Sequence, residues 1–346
     1  LATQFGYRLF EVELLREHKK SPLDFSSATL GSGESEVAFI ESLRRICASI
    51  QGVTVTGILR YRHRDVPSKI EESEDTQPSI RLLKFASIGS RIDFEFRYGR
   101  RGSHDLAMAE SAEEDAELSG KAPTNPFRAF LYLPVSGTKA ILAVEARNRI
   151  CPADNLMKLL GVSSKEQDEE RPLDAQIGWW RFRYFRITDP EQWVKFITQG
   201  EPRSISLIKH EIKPDGTPGT KKVTVRQDGL AGTGVAKASK TLGMFWIKKA
   251  EAKNLRALGI DPSGNSVQQL ATLVEVNVDA ADFDEAGFTW EGPDGTTKFI
   301  GPDDVVDQFT YSVGKPGISP DNETLIEAIE SKLRDLAPSH RIPLEL

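Results

Sequence analysis

The sequence predicts an α+β protein, with mixed or antiparallel sheets and flanking helices, divided into two or three domains. Two kinds of periodicity carry this expectation. Residues 91–97 place Ile92, Phe94 and Phe96 on one face and Arg91, Asp93, Glu95 and Arg97 on the other, the two-residue period of a half-buried strand. Val37, Ile40, Leu43, Ile46 and Ile50 instead recur at helical spacing, with Arg44 and Arg45 opposite. The domain count follows from length, because 346 residues exceed the roughly 100–150 that one core usually organises. Hydrophobic residues at 39% and charged residues at 28% supply a real core and argue against disorder throughout.

Taken in order, residues 5–15 have strand character, and a helix follows the small, polar stretch 31–36. Residues 53–62 read as a strand and 64–77 as a polar, acidic loop. After the strand at 91–97, residues 99–102 resemble a hairpin turn, and the acidic, small-residue stretch 109–121 need not pack. Residues 127–133 and 140–144 flank Ser136 and Gly137, the pattern of a buried hairpin. Asp154 can cap a short helix through Leu160 that Gly161 stops. The charged, non-periodic stretch beginning at Ser163 then suggests a linker, so the expected division is 1–162, a linker at 163–178, a basic module at 179–260 and an acidic C-terminal α+β segment at 261–346.

Within the basic module, residues 179–187 (WWRFRYFRI) alternate bulky apolar residues with Arg181, Arg183 and Arg186. Asp189 and Pro190 open a helix whose stripe is Trp193, Phe196 and Ile197. Strands are expected at 205–212 and 221–226, joined by Pro214, Asp215, Gly216 and Gly219. Residues 229–243 are small and flexible in composition, 249–258 have helical character, and 270–278 look like a strand. Turn chemistry at 292–295 and a final amphipathic helix over 323–336 complete the chain. No apolar run approaches the roughly 20 residues that span a bilayer, so direct membrane insertion is not expected, and the two unpaired cysteines favour a cytoplasmic protein. Cys47 and Cys151 sit in apolar stretches without metal or redox spacing, as buried free thiols do.

The net charge of −6 conceals an uneven distribution. Residues 203–249 hold ten lysines and arginines against three acids, whereas 272–346 hold sixteen acids against five bases. Aromatic and guanidinium groups interleave at 179–186, chemistry suited to stacking and phosphate contact. Lys209, His210, Lys213, Lys221, Lys222 and Arg226 fall on or beside the next strands, and each phosphate such a group neutralises releases counterions. Lys237 and Lys240 extend the set. The candidate phosphate-contacting surface is therefore Arg181, Arg183, Arg186, Lys209, His210, Lys213, Lys221, Lys222, Arg226, Lys237 and Lys240.

Catalytic patterns are weaker. Gly229, Gly232 and Gly234 before Lys240 and Thr241 approach a phosphate-binding loop, but Ser239 stands where that loop needs glycine. Glu145 and Arg147 end an apolar strand, as a carboxylate does in some metal-dependent nucleases, with Asp93 or Glu95 as candidate partners. His18, His63, His104, His210 and His340 show no metal spacing. The Asn322 sequon reads as a helix start. No catalytic role, metal or cofactor is expected.

The order of features over 91–161 and 179–230 resembles the lambda-phage exclusion protein RexA and its relatives. The residues that carry this are Pro126, Phe127, Ala129, Phe130 and Leu131 before the tight turn, then Ile205, Ser206 and Leu207 with basic neighbours and the turn at Asp215 and Gly216. The resemblance leaves 243–317 without a counterpart. It implies a homodimeric, prophage-encoded anti-phage defence protein that binds double-stranded DNA without sequence preference. The shape implied is related to the ring-forming recombination-associated protein RdgC. It also implies that Lys209 and His210 lie near DNA, although Ile208 occupies a position where a basic residue is expected, and that DNA binding signals a membrane effector partner. Two other readings remain open: a metal-dependent nuclease or nucleotide hydrolase, and a protein–protein interaction module using the acidic C-terminal segment.

Overall fold

The computed structural model describes residues 2–30, 37–57, 78–100, 106–107, 116–117, 124–148, 150–187, 189–212, 218–225, 239–243, 263, 268–270, 285–292, 297–300 and 309–346. The fold is mixed α+β with a large antiparallel sheet. Contacts divide it into two compact units, Leu1–Ile187 with Thr310–Leu346, and Thr188–Phe309.

The first unit is built on strands β1 (Phe5–Arg16), β2 (Pro22–Leu23), β3 (Thr54–Thr56), β4 (Pro78–Ile88), β5 (Arg91–Arg100), β6 (Thr124–Tyr132), β7 (Lys139–Arg147) and β8 (Trp180–Arg186). Their order across the sheet is β8-β1-β7-β6-β5-β4-β3, with β2 added beside β1. Helices α1 (Phe39–Ile50) and α2 (Ala153–Glu169) contribute Phe39, Leu43, Ile46, Leu156 and Leu160 to a core with Val12, Leu14, Leu142, Phe94 and Phe96. The opposite face carries a second core, in which Leu9, Phe130, Ile141 and Ala143 meet Leu325, Ile329 and Leu333. Burial on both faces explains why β7 is continuously apolar from Ala140 to Val144 instead of alternating.

Several expectations hold: the strand from Phe5, the helix through Ile50, and the β6–β7 hairpin, in which Gly137 adopts φ 110°. Of the turn expected at 99–102, Gly99 and Arg100 belong to β5 and the rest lies outside the described residues. β5 continues through Arg100 and pairs on its other side with β4, a strand the sequence reading omitted. A bulge between Leu82 and Lys84 explains the omission, since it puts Leu82 and Phe85 in register with Phe96 and Phe94 and breaks the two-residue period. Of the strand expected at 53–62, Thr54–Thr56 is described, and the loop at 64–77 lies outside the described residues.

The linker at 163–178 is corrected. α2 runs past Gly161 to Glu169, and Ser163, Ser164 and Asp168 are buried. These polar side chains form a seat for the incoming strand: Trp180 N donates to Ser164 Oγ at 3.0 Å, and Ile177 N and Gly178 N donate to Asp168 Oδ1 at 3.0 and 3.1 Å. β8, expected to open the second module, pairs instead with β1 from Trp180 opposite Arg16 to Arg186 opposite Phe10. The boundary expected at 179 accordingly falls after Ile187.

The second unit opens with α3 (Pro190–Gln199), whose N-cap Asp189 accepts from Gln192 N at 3.0 Å, as the sequence predicts. Strands β9 (Glu201–Ile212), β10 (Pro218–Val225), β11 (Glu285–Glu291) and β12 (Thr297–Ile300) form an antiparallel sheet in the order β10-β9-β11-β12. Trp193, Phe288 and Trp290 are fully buried, and Trp193 packs edge-on against Phe309 at 4.7 Å. Residues 268–270 are helical, so Leu270 does not start the strand expected at 270–278, the remainder of which lies outside the described residues, as does the helix expected at 249–258.

The segment 261–346 is not a separate segment, because its last part rejoins the first unit. β13 (Tyr311–Ser312) pairs with Gly6 and Tyr7 of β1, and α4 (Asn322–Ser339), N-capped by Asp321, packs on the sheet. Tyr7 stacks on Tyr311 at 5.2 Å and donates to Ala328 O at 2.9 Å. Gly6 permits this approach, since a β-carbon there would stand 2.4 Å from Tyr311 O.

Candidate nucleic-acid interface

The expected basic strands form a hairpin at one edge of the second unit's sheet. β9 pairs with β10 over its C-terminal half, and the register sets Lys209 opposite Lys221, Ile208 opposite Lys222 and His210 opposite Thr220. β10 has no second strand neighbour among the described residues. Lys213, Arg226 and Lys237 lie outside the described residues.

Arg181, Arg183 and Arg186 lie on β8 of the first unit. Arg181 Nε donates to Glu17 O at 2.9 Å, and Arg183 pairs with Glu13, its Nε and Nη2 at 2.7 and 2.5 Å from Oε2. Both guanidiniums therefore hold the edge of the large sheet, while Arg186 is exposed. Lys240 stands in a helical stretch at 239–243 and donates to Thr198 O at 3.2 Å, which places its ammonium at the C-terminal end of α3, where the helix dipole favours a cation. That tie is unlike a lysine reaching a phosphate, and Gly229, Gly232 and Gly234 lie outside the described residues. Arg203, which contributes to the positive balance of 203–249, is paired with Glu291 across the sheet, at 2.5 Å.

Glu145 is completely buried, with Oε2 accepting from Arg128 N and Nε at 3.1 and 3.0 Å and Oε1 3.3 Å from Arg147 Nη2. Arg128 lies opposite Glu95, and Glu95 pairs with Lys84 at 3.3 Å. Alternating charges thus run across four strands. Glu95 and Glu145 stand on either side of the β6 strand, roughly 10 Å apart by strand spacing, with a guanidinium between them. Asp93 holds Arg91 at 2.7 Å, which also reaches Glu330 at 3.0 Å. These carboxylates act as acceptors for arginines. The sequence signal for this ladder was the charged half of the alternation at 91–97, which the register alone connects to Arg128 and Glu145.

Burial pushes the Cys47 thiol up to about 12 and the Cys151 thiol to about 11, so both free cysteines are poor nucleophiles. His18 packs edge-on against Trp179 at 5.3 Å, and His340 lies 3.8 Å from Glu11. Among the described residues, no three histidines, cysteines or acids gather where they could hold a metal ion, and no helix is long and apolar enough to cross a membrane. No family model, curated protein or solved structure matches the chain.

Proposed function

We propose that this protein binds double-stranded DNA without sequence preference, through the lysine-bearing β9–β10 hairpin. The observation that carries the reading is the register that sets Lys209 opposite Lys221, and Lys222 at the next position, on the edge strand of a sheet. Backbone-directed cations of this kind recognise phosphate and duplex shape, which gives affinity independent of base sequence. Lys213 and Arg226 flank the two strands in sequence. Arg181 and Arg183 are withdrawn from it, because each has a structural partner in the large sheet.

The remainder of the reading rests on the resemblance to RexA. In it the protein acts as a homodimeric, cytoplasmic sensor in phage exclusion, and DNA binding is passed to a membrane effector. The test is fluorescence anisotropy with two unrelated duplexes between 50 and 200 mM salt, on the order of the range over which phosphate contacts weaken steeply. Both duplexes bind equally, and affinity falls steeply with salt. The double substitution Lys221→Glu and Lys222→Glu lowers affinity and flattens the slope by about two counterions. An unchanged slope, or no binding at the low-salt end, sinks the proposal.

A further inference from the structure

The last turns of α4 and the segment that follows enclose an open cavity of about 690 Å³, within the range of roughly 300–1,000 Å³ typical of small-molecule sites. Its floor is Leu333, Ala337 and Ile342, and its wall is Pro343, Leu344 and Leu346. Arg334 and Arg341 stand at its rim, both exposed. The segment is held in place by its backbone: Val135 N donates to Pro343 O at 2.9 Å, and Ser90 Oγ donates to Glu345 O at 3.1 Å.

Arg341 is the unusual member. Ile342 N donates to Ala337 O at 3.0 Å and Arg341 N to Pro338 O at 3.1 Å, the paired bonds that end a helix with one left-handed residue. That residue is normally glycine, yet here it is Arg341, at φ 57°. The guanidinium has no partner among the described residues that would repay this strain. Arg334 is little better satisfied. Its neighbour Glu330 lies 3.9 Å away and binds Arg91 at 3.0 Å. The helix end carries about half a negative charge, which two guanidiniums outweigh.

We propose that this cavity binds a single-chain amphiphile with a carboxylate head, of the medium-chain fatty-acid class. The acyl chain lies along the leucine, isoleucine and proline side chains, and the carboxylate lies between Arg334 and Arg341. A peptide helix fits less well, because α4 contributes only residues 333–338, a shorter track than the i to i+7 anchors of a docked helix.

The experiment titrates the full chain calorimetrically with decanoate, acetate and decyltrimethylammonium, all below micelle-forming concentration. Decanoate binds saturably, and acetate and the cationic amphiphile do not. Arg341→Gly removes the guanidinium and relieves the left-handed strain together, so the unfolding midpoint holds or rises while decanoate binds about tenfold more weakly. Leu344→Glu abolishes binding. Absent decanoate binding, equal binding of the cation, or an unchanged affinity in Arg341→Gly overturns the proposal. So does binding of an acidic amphipathic peptide at this face in a protein that ignores decanoate.

Discussion

Replacing Glu145 tests whether its carboxylate is a structural acceptor. Its side chain is 1% exposed, against 16% for Arg128 and 18% for Arg147, so the cluster is largely removed from water. Glu145→Ala leaves both guanidiniums without their carboxylate, and breaking a buried pair this way costs about 3–5 kcal/mol. Arg147 retains its contacts over the Phe5 and Phe127 rings, at 5.2 and 5.3 Å, which places the expected loss toward the lower figure. Against a total stability of roughly 5–15 kcal/mol, that is a large fraction. Glu145→Gln keeps the shape and one acceptor but discards the charge, a loss of about 1.5–3 kcal/mol. Arg128→Met combined with Glu145→Leu removes the desolvated Arg128–Glu145 pair and costs less than Glu145→Ala alone. Urea unfolding followed by far-ultraviolet circular dichroism gives the three midpoints. With a slope of about 3 kcal/mol/M, Glu145→Ala lowers the midpoint by about 1 M. A shift several times smaller refutes the structural assignment. So does magnesium-dependent DNA cleavage by the native protein that Glu145→Gln abolishes at an unchanged midpoint.

Asp24 accepts from Ser26 N, Ser26 Oγ and Gly137 N, and these bonds, the Ser26 hydroxyl first, hold its carboxyl below the ordinary 3.8. A lowered folded-state value means the stabilisation is present above that ordinary value and lost as pH falls through the folded one. The melting temperature of Asp24→Asn therefore lies below the native value at pH 7, and the gap closes in acid; a constant gap rejects the role. Cys47, buried and raised to about 12, resists an aromatic disulfide reagent at neutral pH until urea is added, whereas half-buried Cys151 reacts sooner; rapid native labelling of Cys47 contradicts its burial. Gly6→Ala forces a β-carbon within 2.4 Å of Tyr311 O, so β13 separates from β1 and amide exchange accelerates at Tyr311 and Ser312. Unaltered exchange there means the backbone approach is looser than described.

Local pattern carried much of the secondary structure and little of the topology. β5 was legible because Ile92, Phe94 and Phe96 alternate with charged residues, and α3 because Asp189 and Pro190 mark its start. β4 was illegible because its bulge puts Leu82 and Phe85 on one face three residues apart. The stretch after Gly161 looked like a linker because it is charged and non-periodic, whereas Ser164 and Asp168 are buried acceptors for the backbone entering β8. Composition also did not reveal the structural partners of Arg181 and Arg183 on β8. An arginine beside aromatic residues reads the same whether it faces phosphate or, like Arg183, a glutamate on the next strand.

By itself the sequence determined the α+β class, the β6–β7 hairpin, most of the helices, and the concentration of cations in the middle of the chain, since each depends on residues near one another along the backbone. Tertiary structure alone decided which residue stands opposite which cation. Strand register brings Lys209 to Lys221, twelve positions apart, and assigns Arg183 to Glu13, whose partners lie far apart in sequence. It also returned residues 310–346 to the first sheet, because Gly6 leaves room for Tyr311 and the second apolar face of β1 and β7 requires a cover. Such choices are set by which buried faces and charges can be satisfied simultaneously, a property of the packed chain that no local window contains.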